Sequence, residues 1–203
     1  MHVSRETPGA EQYFGTDLDA IDGYVELLTT RGTERGIIGP REAPRLWDRH
    51  ILNCVVVTPR LPVGASVADV GSGGGLPGLV WAIARPDLAV TLIEPLLRRT
   101  TFLAEVVDEL GLSNVTVLRG RADEVSERYD VVTARAVAEL GKLGAWCLPL
   151  VKPGGVMLAL KGQSASIEVE VWTETLRSLG ATDIVVASYG EAPTPTTVVE
   201  VSR

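Results

Sequence analysis

Seven short apolar runs recur along the chain after residue 66, each with the length of a buried strand. They cover residues 67–70, 89–93, 115–118, 129–133, 155–160, 184–187 and 197–201. Helical patterns lie between them at residues 96–110, 139–150 and 166–179, and Gly111 and Gly180 are placed to end the first and the last of these. Apolar strands that alternate with helices indicate a parallel sheet covered on both faces.

The last two predicted strands are separated only by residues 188–195. This connection is too short for a helical crossover, so the final strand should run antiparallel. Six parallel strands and one antiparallel strand are the arrangement of class I S-adenosylmethionine-dependent methyltransferases, whereas ordinary dinucleotide-binding folds usually lack the last hairpin. The pattern therefore predicts an α/β fold with a Rossmann-like, doubly wound sheet and an antiparallel last strand.

The first part of the chain has a different character. Apolar side chains recur there at helical spacing, at positions 14, 18, 21, 25 and 28. A Gly/Pro-rich break at residues 36–40 precedes a second predicted helix at residues 41–56, and two prolines then separate this helix from the sheet. We predict an N-terminal helical segment over residues 1–62, serving as a lid or for substrate docking, and a methyltransferase domain over residues 63–203.

The composition fits one soluble domain with a full core, since 45% of the 203 residues are hydrophobic. Residues 1–6 are polar, and no apolar run approaches the roughly 20 residues that span a bilayer. We therefore expect a cytoplasmic protein without a membrane partner. The two cysteines, Cys54 and Cys147, lie far apart and histidines are few, so neither a disulfide framework nor a metal site is expected.

The net charge of −7 argues against indiscriminate binding to nucleic acid, which depends on neutralising phosphates. It leaves room for a local basic face, and arginines follow the second and third strands at positions 98, 99, 119 and 121. Loops after parallel strands share one edge of the sheet, so these arginines should lie near a ligand bound there. A weakly basic patch on an acidic body favours a structured, specific RNA partner.

The turn after the first strand holds five glycines in eight positions, within residues 69–78. A Gly-rich turn between a strand and a helix brings backbone N–H groups close to a nucleotide, and larger side chains would block that approach. Candidate cofactor-binding residues in this turn are Asp69, Gly71, Gly73, Gly75 and Leu76. The match of Gly73, Gly75 and Gly78 to the dinucleotide fingerprint is weak by itself.

Glu94 ends the second predicted strand. A carboxylate at this place can accept hydrogen bonds from both ribose hydroxyls of an adenosine. Because NAD and S-adenosylmethionine both contain that ribose, Glu94 supports an adenosine-containing cofactor without choosing between them.

Five motifs occur in a characteristic order between residues 49 and 162. They are residues 49–53 (RHILN), 69–78 (DVGSGGGLPG), 121–124 (RADE), 133–136 (TARA) and 160–162 (LKG). Together they resemble the bacterial 16S rRNA guanine-N7 methyltransferases, the RsmG or GidB (glucose-inhibited division protein B) family. The resemblance implies S-adenosylmethionine as the methyl donor. It implies N7 of one guanosine in the decoding-region loop of 16S rRNA, within the small ribosomal subunit, as the acceptor.

The resemblance also implies roles for individual residues. Gly71 and Leu76 would contact the cofactor, Ala122 and Asp123 would lie at its adenine, and Arg135 would lie between cofactor and substrate. The chain departs from the family pattern at residues 36–42. We expect this departure to affect the N-terminal segment, and with it RNA docking, while leaving the cofactor site unchanged.

The chemistry of this reaction requires alignment more than a reactive side chain, because the sulfonium methyl is already activated. Guanine N7 carries a free lone pair, so neither a general base nor a metal is needed. Arg135 and Lys161 are the candidate catalytic residues, and Arg49 and His50 are candidates for contacts with phosphate or the guanine edge. We expect the protein to act as a monomer.

Three other functions remain open from the sequence. A small-molecule methyltransferase would use the same turn with the N-terminal helices as a lid, in a deep pocket without a basic rim. A nicotinamide-dependent oxidoreductase would share the turn and Glu94 but lack the last antiparallel strand. A non-catalytic cofactor sensor or ribosome-assembly module would bind the cofactor without turning it over.

Overall fold

The structure, a computed structural model, describes residues 10–15, 18–191 and 195–203. Residues 1–6, whose polarity contributed to the expectation of a cytoplasmic protein, lie outside this part. The predicted connection at residues 188–195 is described only at its two ends. Within the described residues, no helix is long and apolar enough to cross a membrane.

A seven-stranded sheet forms the centre of the fold. Its strands are β1 (Ser66–Val70), β2 (Ala89–Glu94), β3 (Val115–Arg119), β4 (Tyr129–Arg135), β5 (Val151–Lys161), β6 (Asp183–Tyr189) and β7 (Thr196–Ser202). They lie in the order β3-β2-β1-β4-β5-β7-β6. The chain builds outward from β1 to β3, then returns to pair β4 with the other side of β1, so the topological switch point lies between β1 and β4.

The predicted antiparallel last strand is confirmed. β7 lies between β5 and β6 and runs antiparallel to both, with Val201 opposite Met157 and Val199 opposite Val186. The pairs among the first five strands in this order are all parallel. The α/β fold with a doubly wound sheet is therefore present as predicted.

Four helices cover the sheet. They are α4 (Gly78–Ala84), α5 (Leu97–Glu109), α6 (Leu140–Cys147) and α7 (Ala165–Ser178), counted after three N-terminal helices described below. Apolar side chains of α4 and α5, including Trp81 and Phe102, belong to the core on one face. Those of α6 and α7, including Leu143 and Leu176, belong to the core on the other face.

The N-terminal segment contains α1 (Ala10–Phe14), α2 (Asp19–Leu27) and α3 (Leu52–Val55). A π-helical turn, Leu28–Gly32, continues α2. The prediction of a helix from residue 41 is wrong at its start, because residues 40–42 form turns and a 3₁₀ turn begins at Ala43. Pro44 explains the difference, since proline lacks an N–H and is tolerated only in the first turn of a helix. A π-helical turn, Trp47–Ile51, then leads into α3.

The N-terminal segment shares its core with the sheet. Ile21, Tyr24 and Trp47 belong to the same buried cluster as Val67 of β1 and Leu92 of β2. The boundary at residue 62 remains a prediction, but the residues on its two sides bury their apolar surfaces against one another. The segment is thereby held over the sheet edge at which β1 and β4 end.

Candidate active site

A cleft of about 750 Å³ opens at the carboxyl ends of β1, β2 and β4. Most of its lining comes from five stretches of chain: the turn after β1, the end of β2, the turn after β3, the end of β4 and residues 37–42. Leu28, His50, Arg99 and Trp146 complete it. Ligands of open α/β sheets bind at the switch point of the strand order, which is where this cleft lies. Its size falls within the range of about 300–1,000 Å³ that is typical of small-molecule sites.

Gly71 begins the glycine turn directly after β1 and lies at the floor of the cleft. Its φ of +71° is in the left-handed region that favours glycine. A Cβ atom at this position would lie 2.9 Å from Cγ2 of Val137, which follows β4. Both the backbone conformation and the closeness of Val137 therefore require glycine, as the sequence predicted. Gly73 and Leu76 also line the cleft.

Gly75 of the turn and Asp69 of β1 do not line the cleft. A Cβ at Gly75 would meet Leu79 of α4 at 2.3 Å. The Asp69 carboxylate is fully buried and accepts the N–H of Gly78, with 3.0 Å between Oδ2 and N. The placement gives both residues a supporting role: they fix the turn against α4, and their direct contact with a cofactor remains only a prediction.

The Asp69 carboxyl has an unusual electrostatic setting. Burial raises its pKa to about 7, although the hydrogen bonds from Gly78 and Ser72 oppose the shift. Its second oxygen, Oδ1, has no hydrogen-bond partner among the described residues. The group therefore titrates near neutral pH beneath the cofactor turn.

Glu94 lines the cleft at the end of β2 and is almost fully buried. Its Oε2 accepts the N–H of Gly73 at 3.0 Å, and its Oε1 accepts the N–H of Leu96 at 3.0 Å. Arg99 of α5 lies 3.4 Å from Oε2. These contacts hold the carboxylate in one orientation beside the turn. Oε1 retains a further lone pair for a hydroxyl group of a ligand, whereas a hydroxyl at Oε2 would replace or share the weaker 3.4 Å contact with Arg99.

The turn after β3 forms the opposite wall. Ala122 and Asp123 both line the cleft, together with Gly120 and Arg121. The side chain of Arg121 pairs with Asp123, with 3.1 Å between Nε and Oδ1. The predicted adenine-side residues are thus brought to the cleft by a short 3₁₀ turn, Ala122–Glu124.

Arg135 ends β4 at the border of the cleft. One of its terminal nitrogens, Nη2, donates to the carbonyl of Arg49 at 3.1 Å and contacts Nδ1 of His50 at 2.7 Å. The other, Nη1, donates to the thiol sulfur of Cys54 at 3.2 Å. The guanidinium is therefore fixed from one side by the N-terminal segment.

His50 lines the cleft, but both of its ring nitrogens already have protein partners. Nδ1 contacts Arg135, and Nε2 lies 2.9 Å from Oε2 of Glu42. Arg49 has a mostly exposed side chain, lies 3.5 Å from the Glu42 carboxylate and does not line the cleft. A direct contact of Arg49 or His50 with substrate therefore remains a prediction.

Lys161 lies in a second cavity of about 390 Å³, which shares Arg135 and Ala136 with the cleft. Its ammonium donates to the carbonyl of Ala138 at 2.8 Å and pairs with Glu168 at 2.7 Å. The side chain is nearly buried by these contacts. The structure thus brings Lys161 to the neighbourhood of Arg135 but directs its charge toward the loop after β4.

The expectation that residues 36–42 leave the cofactor site unchanged is wrong. Ile37, Ile38, Gly39 and Glu42 all line the cleft. The reason is that the segment passes directly over the glycine turn, so that a Cβ on Gly74 would meet Ile37 at 3.2 Å. The sequence pattern indicated only a break between the N-terminal helices here, and it held no signal for a contact with a turn more than 30 residues away.

Trp146 of α6 also lines the cleft and was not singled out from the sequence. The apolar run around it indicated a core helix, and its neighbour Cys147 is indeed fully buried. Arg99 is a second such residue, since the sequence placed it in a basic group but not beside Glu94. Only the packing of α5 and α6 on opposite faces of the sheet shows that both reach the cleft.

The residues present fit S-adenosylmethionine. A glycine turn in which side chains would clash, a buried carboxylate at the end of the next strand and the short turn after β3 match the amino acid, ribose and adenine parts of such a ligand. Within the described residues, no cluster of three or more His, Cys, Asp or Glu side chains could hold a metal ion.

Comparison with known sequences identifies close relatives. The sequence model of the GidB family, described as rRNA small subunit methyltransferase G, matches residues 17–196. A protein of Corynebacterium glutamicum (strain R) named Ribosomal RNA small subunit methyltransferase G is 54% identical over 203 residues, covering 97% of this chain and 91% of that protein. A protein of Salinispora arenicola with the same name is 54% identical over 205 residues, covering 96% and 85%.

Solved structures share the fold. The apo form of the S-adenosylmethionine-dependent methyltransferase SibL superposes with a TM-score of 0.61 at 21% identity, covering 95% of this chain and 72% of that one. TYW2 of M. jannaschii in complex with AdoMet superposes with a TM-score of 0.58 at 17% identity, covering 75% and 74%. The architecture is that of class I S-adenosylmethionine-dependent methyltransferases. With the family match over most of its length and relatives that are more than half identical, the chain belongs to the GidB family of rRNA small subunit methyltransferases G.

Proposed function

We propose that this protein transfers the methyl group of S-adenosylmethionine to N7 of one guanosine in the decoding-region loop of 16S rRNA. The observation that carries the proposal is the meeting of two cavities at the end of β4. One has the size and lining of a cofactor site, the other can receive a base, and Arg135 and Ala136 border both. Methyl transfer needs donor and acceptor on either side of one such junction.

The cofactor site is assigned by its lining. The backbone of Gly71, Gly73 and Leu76 would hold the amino acid part, Glu94 would accept the ribose hydroxyls, and Ala122 and Asp123 would flank the adenine. When bound, the cofactor supplies a methyl group on a positively charged sulfur. The protein therefore contributes alignment and exclusion of water, and its own side chains do not have to form a covalent bond.

The acceptor base is assigned to the second cavity. Guanine N7 has an in-plane lone pair and no proton, so no side chain has to act as a base there. That lone pair must point at the methyl group, so Arg135 is left to donate to guanine O6 or to a phosphate. Lys161 fixes the loop after β4 through Ala138, and we assign it a positioning role.

The rival functions have less support. The antiparallel β7 disfavours a nicotinamide-dependent oxidoreductase, whose fold usually lacks it. A small-molecule methyltransferase would need no basic residue beside the cleft, whereas the exposed Arg98 at the start of α5 has no carboxylate within ion-pair distance among the described residues. A non-catalytic module remains an outcome of the test below.

The test is incubation with methyl-labelled S-adenosylmethionine and small ribosomal subunits from cells that lack the enzyme, followed by mapping of the labelled base. We expect label on one guanosine N7, and none with subunits that already carry the methyl group. Calorimetry with the cofactor accompanies the assay. Binding without transfer would indicate a cofactor sensor, and absence of binding by folded protein would overturn the proposal. Naked 16S rRNA in a parallel reaction distinguishes free RNA from the assembled subunit as substrate.

We also propose that the protein acts as a monomer in the cytoplasm, where ribosomal subunits are its partner. Light scattering at the concentration used in the assay tests the first statement. Fractionation of cells expressing the natural protein tests the second.

A further inference from the structure

The Arg135 guanidinium is connected to the N-terminal segment through a chain of two side chains, His50 and Glu42. We propose that Glu42 and His50 are positioning residues that hold Arg135 at the junction of the two cavities, and that they do so only while His50 is neutral with its proton on Nε2. The part of this inference that concerns catalysis rests on the proposed function, whereas the part that concerns the state of His50 does not.

The tautomer follows from the chemistry of the partners. A guanidinium has only donors, so the 2.7 Å contact between Nη2 of Arg135 and Nδ1 of His50 requires a lone pair on Nδ1. A neutral imidazole with a free Nδ1 carries its proton on Nε2. That nitrogen lies 2.9 Å from Oε2 of Glu42, an acceptor. Every donor in the chain therefore faces an acceptor, with Arg135 donating to His50 and His50 donating to Glu42.

Protonation of His50 would break this chain. Nδ1 would become a donor facing another donor, and the imidazolium would place a second positive charge next to the guanidinium. Arg135 would keep its contacts with the carbonyl of Arg49 and the thiol of Cys54. It would lose the acceptor on Nδ1, and the repulsion between the two cations would push Nη2 away from His50 and shift the guanidinium at the junction. We therefore expect the rate of methyl transfer to decrease as the pH is lowered and His50 becomes protonated. This decrease is the acid limb of the pH–rate profile.

The surroundings of His50 favour the neutral form near neutral pH. The charged groups that face it are Glu42 before the 3₁₀ turn, Arg49 in its own π-helical turn and Arg135 at the end of β4, with the Cys54 thiol across Arg135. Partial burial lowers the pKa of His50, and the positive charges of Arg135 and Arg49 lower it further, while Glu42 opposes them. The acid limb should thus lie below the ordinary histidine value of about 6.5.

Glu42 gives residues 36–42 a function beyond lining the cleft. The segment departs from the family pattern, and in this chain it supplies the carboxylate at the outer end of the His50 chain. Arg49 lies 3.5 Å from that carboxylate, so its charge helps to keep Glu42 ionised and in place.

The state of His50 can be measured without any activity. The chain has only two histidines, so ¹⁵N-histidine labelling gives two imidazole signals, and a His2→Gln variant assigns them. We expect His50 to show a protonated Nε2 and an unprotonated Nδ1 at neutral pH. We expect Glu42→Gln to lower its pKa by about 0.5–1 unit, because the carboxylate that favours the charged form is gone. Glu109→Gln, which removes a carboxylate from the separate surface pair with Arg31, should leave the titration unchanged.

The kinetic consequence is tested on small subunits over the same pH range. His50→Ala should reduce kcat about tenfold to a hundredfold, the usual effect of a misplaced aligning group. His50→Asn should restore most of it without the acid limb, because the amide oxygen takes the place of Nδ1 and does not titrate. Glu42→Gln should move the acid limb to lower pH, and Glu109→Gln should not.

Two results would overturn the inference. One is a proton on Nδ1 of His50 at neutral pH, and the other is an active Glu42→Gln variant whose acid limb lies at the same pH as that of the wild type. An inactive wild-type protein in which the labelling shows the expected tautomer would count against the proposed function instead. The two failures are therefore distinguishable.

Discussion

Gly71 of the cofactor turn is required as glycine for two reasons, its backbone conformation and the lack of room for a side chain. Gly71 shows both, because its φ is positive and Val137 lies where a side chain would begin. Gly64, in the turn before β1, has a similar φ of +68° but open space around it. Substitutions at Gly71 and Gly64 therefore distinguish the effect of backbone strain, which both would share, from the effect of crowding the cleft, which occurs only at Gly71.

Gly71→Ala should lower the affinity for S-adenosylmethionine about tenfold or more, since displacing Val137 and a bound ligand costs about 1–3 kcal/mol. Gly64→Ala carries the same backbone strain of roughly 1–2 kcal/mol and should destabilise the fold without weakening cofactor binding. Calorimetry and urea denaturation of both variants check this. Equal cofactor affinities in the two variants would contradict the role of Gly71.

Asp69 ties the stability of the fold to pH. Its pKa is about 7 when folded and about 3.9 in an unfolded chain, so the folded state binds this proton more tightly. The stability contribution of the neutral carboxyl is therefore complete below about pH 4, falls as pH rises, and is lost above about pH 7. The asparagine of the Asp69→Asn variant cannot ionise. The free energy of unfolding of this variant should therefore decrease less than that of the wild type as the pH rises from about 5 to about 8. Urea denaturation at several pH values measures both proteins. The same pH dependence of the unfolding free energy in the two would refute the raised pKa of Asp69.

At the residue scale, sequence reasoning succeeded where the signal is local. Gly71 and Glu94 were expected at the cleft because each occupies a fixed place in a strand-turn-helix unit, and Leu76 because of the family resemblance. All three line the cleft, and their contact with the cofactor stays a prediction. Glu42 was not found, because its function depends on a contact with His50 and, through it, with Arg135 on a strand more than 90 residues away. No periodicity or spacing encodes such a contact.

At the scale of elements, α6 and α7 approach each other closely through glycine. A Cβ on Gly141 of α6 would lie 2.4–2.7 Å from ring atoms of Trp172 on α7. A glycine inside a helix ordinarily weakens it by about 1 kcal/mol relative to alanine. Its presence here is explained by the ring, which leaves no space for a methyl group.

Gly141→Ala should therefore destabilise the protein by about 1–3 kcal/mol, against the gain that helix propensity alone would give. In a Trp172→Ala background the same change should become neutral or stabilising, because the ring is gone. A double-mutant cycle by urea denaturation measures the difference. Additive effects would show that the ring does not exclude the methyl group.

The elements themselves were largely predictable. All seven strands and the three central helical patterns are present, because a two-sided sheet leaves apolar strands and one-sided helices in the sequence. The N-terminal helices were less well predicted. Gly15 separates α1 from α2, and two π-helical turns interrupt the regular period on which such predictions depend.

At the scale of the whole molecule, an acidic protein has to bind an acidic partner. Several surface arginines are neutralised by carboxylates, as in the pairs Arg31–Glu109, Arg35–Glu105 and Arg85–Asp87. Arg98, at the start of α5, has no carboxylate within ion-pair distance among the described residues and lies 3.8 Å from the position of a Cβ on Gly36. It is available to a phosphate beside the cleft.

Arg98→Gln should weaken binding of the small subunit and reduce the slope of log affinity against log salt by about one, as expected for the loss of one phosphate contact. Cofactor affinity should not change. Arg177→Gln, at the end of α7, removes an equal charge away from the cleft and serves as the control. Identical salt slopes for both variants would exclude Arg98 from the RNA interface.

Tyr24 of α2 is fully buried, and its hydroxyl donates to the carbonyl of Gly74 at 2.9 Å. The rear of the cofactor turn is thus built by a helix that precedes the sheet in the chain. A chimera in which residues 1–62 are replaced by the N-terminal segment of another protein would lose this hydrogen bond, even if the new segment bound RNA well. A chimera that keeps α2 together with the sheet, and exchanges only N-terminal residues outside α2, would retain the support of the cofactor turn.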